Sequence, residues 1–224
     1  MLEDIEAVIF DLDGTLVDSM WIWTDVDEVY LEKYHLTRPD NFQTSMEGMS
    51  YSETAQYFVD TFPTLNQTVE QIQKEWHEMT FLRYTTEVTL KQGVSEFIQQ
   101  LRANGIKCGI ATSNSRELVE ATVAALGIQH FFDSIRTACE VSAGKPAPDV
   151  YLKVAEDLHV PSERCLVFED IPNGIRAGKN AGMRVCAVDD AFSKSMEQQK
   201  RELSDYYIYN YENLYEMLVR KSNE

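Results

Sequence analysis

Two carboxylates stand two residues apart near the start of the chain, in the run Asp11-Leu12-Asp13-Gly14-Thr15. They end an apolar segment, Ala7 to Leu12, whose continuous hydrophobicity predicts a buried strand. Side chains at i and i+2 of a strand lie on one side of it, so these two anions repel each other. A divalent metal ion with oxygen ligands would relieve that repulsion. The alternative is a simple Asp-Gly turn after a buried strand.

Three later stretches of the chain contain hydroxyl side chains, a lysine and further acidic residues. Taken by itself, the lysine, Lys145, would be a solvated residue in a loop that the flanking Pro146 and Pro148 stiffen. The stretches are Ile110-Ala111-Thr112-Ser113-Asn114, Gly144-Lys145-Pro146-Ala147-Pro148-Asp149, and Val167-Phe168-Glu169-Asp170 followed by Asn173-Gly174.

These residues need a scaffold that brings several strand ends together. Short Val- and Ile-rich runs recur, each followed by a segment of helical periodicity, which predicts an α/β fold with a Rossmann-like parallel sheet. Each of three predicted helices is followed by a glycine, the residue most common at the position directly after a helix end. Asp189 and Asp190 follow the last of these strands and are interpreted as turn residues. The predicted strands are Ala7 to Leu12, Ile106 to Thr112, Cys165 to Glu169 and Arg184 to Val188, and the helices are Val94 to Asn104 before Gly105, Leu118 to Leu126 before Gly127, and Ile175 to Ala181 before Gly182.

About seventy residues interrupt this rhythm after the first strand, and their periodicity is helical throughout. No strand-helix-strand crossover needs that length, so we predict a small all-α domain at residues 17–87, inserted into a core formed by residues 1–16 and 88–224. A short strand from Tyr206 to Tyr211 and a helix to Val219 are predicted to close the chain. The inserted helices are predicted at Trp21 to Tyr34, Ser52 to Phe62 and Thr68 to Tyr84.

Composition excludes several classes of protein. The chain has 224 residues with a formal net charge of −17, which argues against nucleic acid as a partner. No apolar run is long enough to span a bilayer and the N-terminal segment is acidic, so we expect no membrane association and a cytoplasmic location. The four histidines lack metal-ligand spacing. Four scattered cysteines are expected to be reduced and mostly buried: Cys108, Cys139, Cys165 and Cys186.

Taken in order, the four stretches resemble the four motifs of the haloacid dehalogenase superfamily, and the resemblance spans residues 5 to 190. Asp11 to Thr15 is similar to motif one, and Ile110 to Asn114 to motif two. The Lys145 stretch is similar to motif three and the Glu169-Asp170 stretch to motif four. The helical insert directly after motif one is similar to the small cap domain of the β-phosphoglucomutase-like and phosphoglycolate-phosphatase-like branch.

The resemblance implies a phosphoryl-transfer chemistry with named roles. Asp11 would be the nucleophile that forms an aspartyl-phosphate, and Asp13 would be the general acid and then the general base. Thr112 and Ser113, just before a helix, and Lys145 would bind the phosphate.

The same resemblance implies a Mg²⁺ ion as cofactor. Asp11, the backbone carbonyl of Asp13, and Asp170 would be its protein ligands. Glu169 is a further candidate ligand, with the alternative that it accepts hydrogen bonds from the residues that surround the site.

The expected activity is Mg²⁺-dependent hydrolysis of a small phosphomonoester of the sugar phosphate or nucleoside monophosphate class, by a monomer or a dimer. The alternatives are a β-phosphoglucomutase-like sugar phosphomutase, a dehalogenase, and a binding protein without activity. The cap departs from the mutase pattern, because Glu47 and Tyr51 stand where basic residues would grip a second phosphate. Trp21, Trp23 and Tyr51 could pack against the substrate or could belong to the core of the cap.

Overall fold

Six parallel strands form one sheet in the order β5-β4-β1-β6-β7-β8, in a computed structural model that describes residues 1–212 and 214. The predicted α/β class is therefore confirmed. The strands are β1 (Ala7–Phe10), β2 (Val17–Asp18), β3 (Thr89–Leu90), β4 (Lys107–Thr112), β5 (Ser134–Thr137), β6 (Cys165–Glu169), β7 (Arg184–Val188) and β8 (Tyr206–Ile208), of which β2 and β3 form a separate antiparallel ribbon.

Two strand bounds agree with the sequence prediction and one differs in an informative way. Strands β6 and β7 have the predicted bounds, whereas β1 ends at Phe10 and not at Leu12. The carbonyl of Leu12 accepts bonds from the N–H groups of Thr15, Leu16 and Val17, so the chain already turns there. Strand β5 was not predicted, because its four residues, Ser-Ile-Arg-Thr, contain no continuous apolar run.

Nine helices of the described residues flank the sheet or form the insert. The predicted glycine stops are confirmed, since Gly105, Gly127 and Gly182 have φ of +75°, +70° and +76°. The helices are α1 (Met20–Lys33), α2 (Phe42–Met46), α3 (Tyr51–Thr61), α4 (Val69–Thr86), α5 (Val94–Ala103), α6 (Arg116–Ala125), α7 (Asp149–Leu158), α8 (Pro172–Asn180) and α9 (Glu197–Leu203).

Apolar side chains cover both faces of the sheet, which is why its strands read as unbroken hydrophobic runs. Val8 and Phe10 of β1 point to one face, where Phe97 of α5 packs, and Ile9 points to the other. Phe10 stacks on Phe168 of the neighbouring strand, with ring centroids 5.2 Å apart. The strand ends are thus held in a rigid apolar layer.

Between the two ribbon strands the chain forms α1 to α4, in the interval predicted to be an inserted helical cap. The predicted domain boundaries themselves stay a prediction. Helices α3 and α4 begin with capping boxes, in which Ser50 and Thr68 each accept a bond from the backbone three residues on. The short α2 and the β2–β3 ribbon were not predicted, because neither is long enough to show a period.

Near the end of the chain, β8 is shorter than the strand predicted from Tyr206 to Tyr211. The helix predicted to run to Val219 lies outside the described residues. Within residues 1–212 and 214, no helix combines the length and the apolar character that a membrane span requires.

Candidate active site

Three neighbouring strands place the predicted site residues at one edge of the sheet. Phe10 pairs in register with Ile110 of β4 and with Phe168 of β6. Asp11 directly follows Phe10, so it lies level with the carboxyl ends of β4, which carries Thr112, and of β6, which Asp170 follows. Polar side chains at this edge of an open α/β sheet are typical of a ligand site.

A buried lysine joins the ends of β1 and β6. Lys145 Nζ lies 2.6 Å from Asp11 Oδ1 and 2.5 Å from Glu169 Oε1, and its side chain is 1% exposed. Burial lowers the pKa of Lys145, but the charges of Asp11 and Glu169 outweigh that effect and raise it well above its usual value. Lys145 is therefore a permanent cation beside Asp11.

Three buried carboxylates converge where the sequence predicts a metal. One oxygen each from Asp11, Glu169 and Asp170 lies within 4.8 Å of the other two. Asp170 Oδ1 accepts a bond from the Thr15 hydroxyl at 3.0 Å, whereas Asp170 Oδ2 is buried without a hydrogen-bond partner among the described residues. An orphaned carboxylate oxygen in an acidic cluster fits a hard divalent cation, for which oxygen ligands are preferred.

The electrostatics of this cluster support the same interpretation. Burial raises the pKa of Asp11 well above its usual range, Lys145 lowers it, and Glu169 raises it further. Burial likewise raises the pKa of Asp170, as do the neighbouring charges of Glu169 and Asp11. A cation among these oxygens would stabilise the ionised carboxylates that nucleophilic attack and metal ligation require.

Both carboxylate oxygens of Glu169 already have protein partners. Glu169 Oε1 accepts bonds from Lys145 and from the Tyr151 hydroxyl at 3.1 Å, and Oε2 accepts from the backbone N–H groups of Asp170 and Ile171 at 2.7 and 3.0 Å. This arrangement favours the role of Glu169 as an acceptor that orients Lys145 and the strand end. Direct metal ligation would have to share those oxygens.

Two glycines allow the acidic groups to approach the backbone. A Cβ at Gly14 would lie 2.4 Å from Asp170 Oδ2, and one at Gly174 would lie 1.7 Å from Glu169 Oε1. Gly14 also has φ of +75°, a conformation that other residues rarely adopt. Both glycines are therefore required for the packing of this site.

Asp13 points away from the metal cluster, toward the base of the inserted helices. Its Oδ1 accepts from the Ser19 hydroxyl at 2.6 Å and from the Tyr84 hydroxyl, and its Oδ2 accepts from Asn114 Nδ2 at 2.9 Å. Sequence reasoning missed the roles of Ser19, Tyr84 and Asn114. Asn114 could have been noticed in the motif after β4, but Tyr84 is 71 residues from Asp13 and has no local signal.

The predicted phosphate-binding residues lie at the loop between β4 and α6. Thr112 is buried, and its hydroxyl accepts from the N–H of Asn114 at 3.1 Å. Ser115 caps α6 by accepting from the N–H of Leu118, so the positive end of the helix dipole is directed to this loop. Thr112, Ser113 and Lys145 line the same cavity, which suits an anion.

That cavity has a volume of about 250 Å³ and extends from the sheet edge into the inserted helices. Trp23 and Tyr51 line it, as proposed for a substrate-packing wall, and their ring centroids are 5.9 Å apart. Trp21 is not among its lining residues. It is an exposed residue of α1 beneath the Arg83 guanidinium, which is 4.5 Å from its ring centroid, so the cavity does not support its suggested contact with substrate.

Two acidic residues have contacts that sequence reasoning did not anticipate. Glu47 Oε1 accepts from the N–H of Asn173 at 2.9 Å, so this cap side chain contacts the core. Asp190 is not a simple turn residue, because it is buried and pairs with Lys91 Nζ at 2.7 Å. Both contacts join segments far apart in sequence, which a local pattern cannot reveal.

Comparisons with known proteins agree on one family for this chain. The model of the family described as "Haloacid dehalogenase-like hydrolase" matches residues 8–188. A protein of Drosophila melanogaster named "Probable pseudouridine-5'-phosphatase" is 31% identical over 206 residues, 85% of this chain and 84% of that protein. The "Phosphorylated carbohydrates phosphatase" of Thermotoga maritima is 28% identical over 179 residues, 80% of this chain and 82% of that protein.

A solved structure extends the similarity to the whole fold. The β-phosphoglucomutase of Clostridium difficile superposes with a TM-score of 0.81 at 22% identity, covering 98% of this chain and 97% of that one. At that identity the likeness supports the fold alone. The matched motifs, the acidic cluster and the family model agree, and the chain is therefore an enzyme that belongs to the haloacid dehalogenase-like hydrolase family.

Proposed function

We propose that the protein is a Mg²⁺-dependent phosphatase that hydrolyses a small phosphomonoester of the sugar phosphate or nucleoside monophosphate class through an aspartyl-phosphate. One observation carries the proposal: Asp11 pairs with the Lys145 cation and shares an acidic cluster with Asp170, whose Oδ2 has no partner among the described residues, in a cavity that Asp13 also lines. The names of the two relatives, a probable pseudouridine-5'-phosphatase and a phosphorylated carbohydrates phosphatase, support this substrate class.

In the first half-reaction, a carboxylate oxygen of Asp11 attacks phosphorus and the bond from phosphorus to the leaving oxygen breaks. Lys145 neutralises charge on Asp11 and on the phosphoryl oxygens. Asp13 gives its proton to the leaving oxygen, so that a neutral alcohol departs. Thr112, Ser113 and the start of α6 orient the phosphoryl group.

In the second half-reaction, Asp13 takes a proton from water as the water oxygen attacks phosphorus. The bond between phosphorus and Asp11 breaks, which releases phosphate and the free carboxylate. Asp11, Asp170 and the carbonyl of Asp13 would hold Mg²⁺, which when bound stabilises negative charge on the phosphoryl oxygens.

A phosphomutase is the second candidate, because the fold is also that of a β-phosphoglucomutase. A mutase must hold a second phosphate group within the same cavity. Among the described residues that line the cavity, Lys145 is the only lysine or arginine, and it is paired with Asp11 and Glu169. The absence of a second cation there favours release of phosphate to water.

The experiment is phosphate release from ribose 5-phosphate, uridine 5'-monophosphate and phosphoglycolate with Mg²⁺, beside an assay for isomerisation of glucose 1-phosphate. We expect phosphate release by the wild type and its loss, by about 10³-fold or more, in Asp11→Asn. Isomerisation without phosphate release would instead establish the mutase.

A further inference from the structure

The cap half of the cavity contains an acidic side chain that the phosphatase mechanism does not use. Asp27, on α1, lines the same cavity as Asp11. It lies one helical turn beyond Trp23, which is about 6 Å farther along the helix axis from the end of α1 that meets the core. Asp27 therefore faces the part of a substrate that is remote from phosphorus.

Every other acidic residue that lines the cavity has a hydrogen-bond partner. Asp11 contacts Lys145, Asp13 has three donors, Asp170 accepts from Thr15, and Glu47 accepts from Asn173. Asp27 has no hydrogen bond and no ion pair among the described residues. Burial raises the pKa of Asp27 to about 7, with Arg38 lowering it and Glu28 raising it. Asp27 is partly buried, and its carboxyl oxygens have acceptor capacity left over in the cavity.

The surroundings of Asp27 are suited to a flat or polyhydroxylated group. Trp23, Tyr51 and Trp76 line the cavity as a connected row, with centroids 5.9 Å apart for the first pair and 5.7 Å for the second. Aromatic faces bind the apolar faces of sugars and nucleobases and do not stabilise an anion. A carboxylate that lines the same cavity selects for a hydrogen-bond donor.

We propose that Asp27 accepts a hydrogen bond from a hydroxyl or N–H group of the substrate's leaving group and so selects neutral, donor-bearing phosphomonoesters over those with a second anion. This proposal rests on the proposed phosphatase function. It adds a residue that recognises the leaving group of the substrate. An anionic leaving group, such as the carboxylate of phosphoglycolate, would be repelled by the Asp27 carboxylate once Asp27 is ionised, above about pH 7. Sugar phosphates and nucleoside monophosphates supply the required donors.

The test compares Asp27→Leu, which has nearly the same size and no acceptor, with wild type on four esters. Ribose 5-phosphate and uridine 5'-monophosphate have donors, phenyl phosphate has a ring without one, and phosphoglycolate has a second anion. In assays at about pH 8, where Asp27 is mostly ionised, we expect kcat/KM for the better donor-bearing substrate to fall about tenfold or more, because its hydrogen bond to the Asp27 carboxylate is lost. Phenyl phosphate should change less than about twofold, and phosphoglycolate should improve.

The matched control is Glu28→Gln, which removes the neighbouring exposed carboxylate of the same helix. It should leave the ranking of the four esters unchanged. Equal losses on ribose 5-phosphate and phenyl phosphate in Asp27→Leu would overturn the proposal, since the effect would then be structural. A thermal melt of each variant reports whether it is folded.

A binding measurement separates failure of this inference from failure of the phosphatase. Calorimetry with Asp11→Asn, alone and combined with Asp27→Leu, uses ribose 5-phosphate, uridine 5'-monophosphate and phenyl phosphate as ligands and needs no turnover. If the double variant binds a donor-bearing ester more weakly than Asp11→Asn alone does, the proposed role of Asp27 is supported. This holds even if the wild type hydrolyses none of the esters. The proposal is overturned if the donor-bearing esters do not bind, or if Asp27→Leu does not change their affinity. This conclusion does not depend on whether the wild type has phosphatase activity.

Discussion

Asp13 is held by three donors that come from three parts of the chain. Ser19 follows the first ribbon strand, Tyr84 lies in the last turns of α4, and Asn114 follows β4. A carboxyl group that must first give and then take a proton needs a fixed position relative to the leaving oxygen. The Tyr84 hydroxyl also accepts from Trp23 Nε1 at 2.6 Å, which connects Asp13 to the cavity wall.

We expect Tyr84→Phe to lower kcat about tenfold with a smaller change in KM, because Asp13 loses one of its three donors and with it part of its alignment. Burial and the charge of Asp13 raise the pKa of Tyr84, so the hydroxyl is a donor across the neutral range. Steady-state kinetics on the best substrate measure the effect. The pH profile of kcat should shift as well.

Tyr30→Phe is the matched control, because Tyr30 is another buried tyrosine of the cap and its hydroxyl bonds to Gln67, away from the cavity. It should reduce stability and leave kcat unchanged. If both tyrosine variants lose activity equally, Tyr84 does not position Asp13.

At the scale of the elements, the two segments that lead into and out of the inserted helices are tied to the catalytic edge. Strands β2 and β3 pair Val17 with Leu90. The next residue, Lys91, donates to the carbonyls of Gly14 and Asp189 at 2.8 and 2.7 Å and pairs with Asp190. One lysine thus connects the loop after β1, the segment after β3 and the end of β7.

Lys91→Met should destabilise the protein by about 3 kcal/mol, because it leaves Asp190 buried without its cation. Urea unfolding measures the loss. The double variant Lys91→Met with Asp190→Leu should recover a large part of it, since no buried charge then stays unpaired.

A surface lysine provides the comparison. Lys194, whose side chain is 54% exposed, pairs with Asp189 and Glu197. Lys194→Met should change the free energy of unfolding by less than about 1 kcal/mol, as exposed ion pairs usually contribute little. Equal effects of the two lysine variants would contradict the role given to Lys91.

At the scale of the whole molecule, the first turn of α3 and the loop before it lie directly on the core. The N–H of Tyr51 donates to the carbonyl of Ser113 at 2.8 Å, and the N–H of Gly144 donates to Glu53 Oε1 at 3.3 Å. Together with the Glu47 contact to Asn173, these bonds close the cavity over the acidic cluster. Asp11 is buried in this arrangement, which strengthens the electrostatic interactions there.

Mg²⁺ should raise the melting temperature of the free protein by several degrees, about 5 °C at a hundredfold excess over its dissociation constant, because it binds the folded state alone. The shift should be lost in Asp170→Asn. A thermal melt with and without Mg²⁺ measures this, and EDTA should reverse it.

Asp189→Asn is the control for that shift. Asp189 lies at the same edge of the sheet but bonds to Lys194 and Tyr207, outside the acidic cluster. Its substitution should leave the effect of Mg²⁺ intact. A Mg²⁺ shift that persists in Asp170→Asn would place the metal elsewhere.

The sequence alone determined the parallel sheet, the helical insert and the identity of the residues at the strand ends. The physical reason is that buried strands, glycine-ended helices and strand-end carboxylates are properties of short segments, which are visible in a window of a few residues. The pair Asp11 and Asp13 could be named in this way before any contact was known, whereas Lys145 and Asp170 were identified through the resemblance of their stretches to family motifs. The bounds of β1, the short β5 and the ribbon could not, because each depends on pairing and turns.

Only the tertiary structure decided which side chains meet. The bonds of Tyr84 to Asp13, Lys91 to Asp190 and Glu47 to Asn173 each span at least 71 residues, and the partners of Glu169 use both of its oxygens. In the sequence, Asp27 is one of several charged residues on a predicted helix. Asp27 lines the cavity, partly buried and without a partner among the described residues. That position depends on how α1 packs against the rest of the chain, and helical periodicity does not specify that packing.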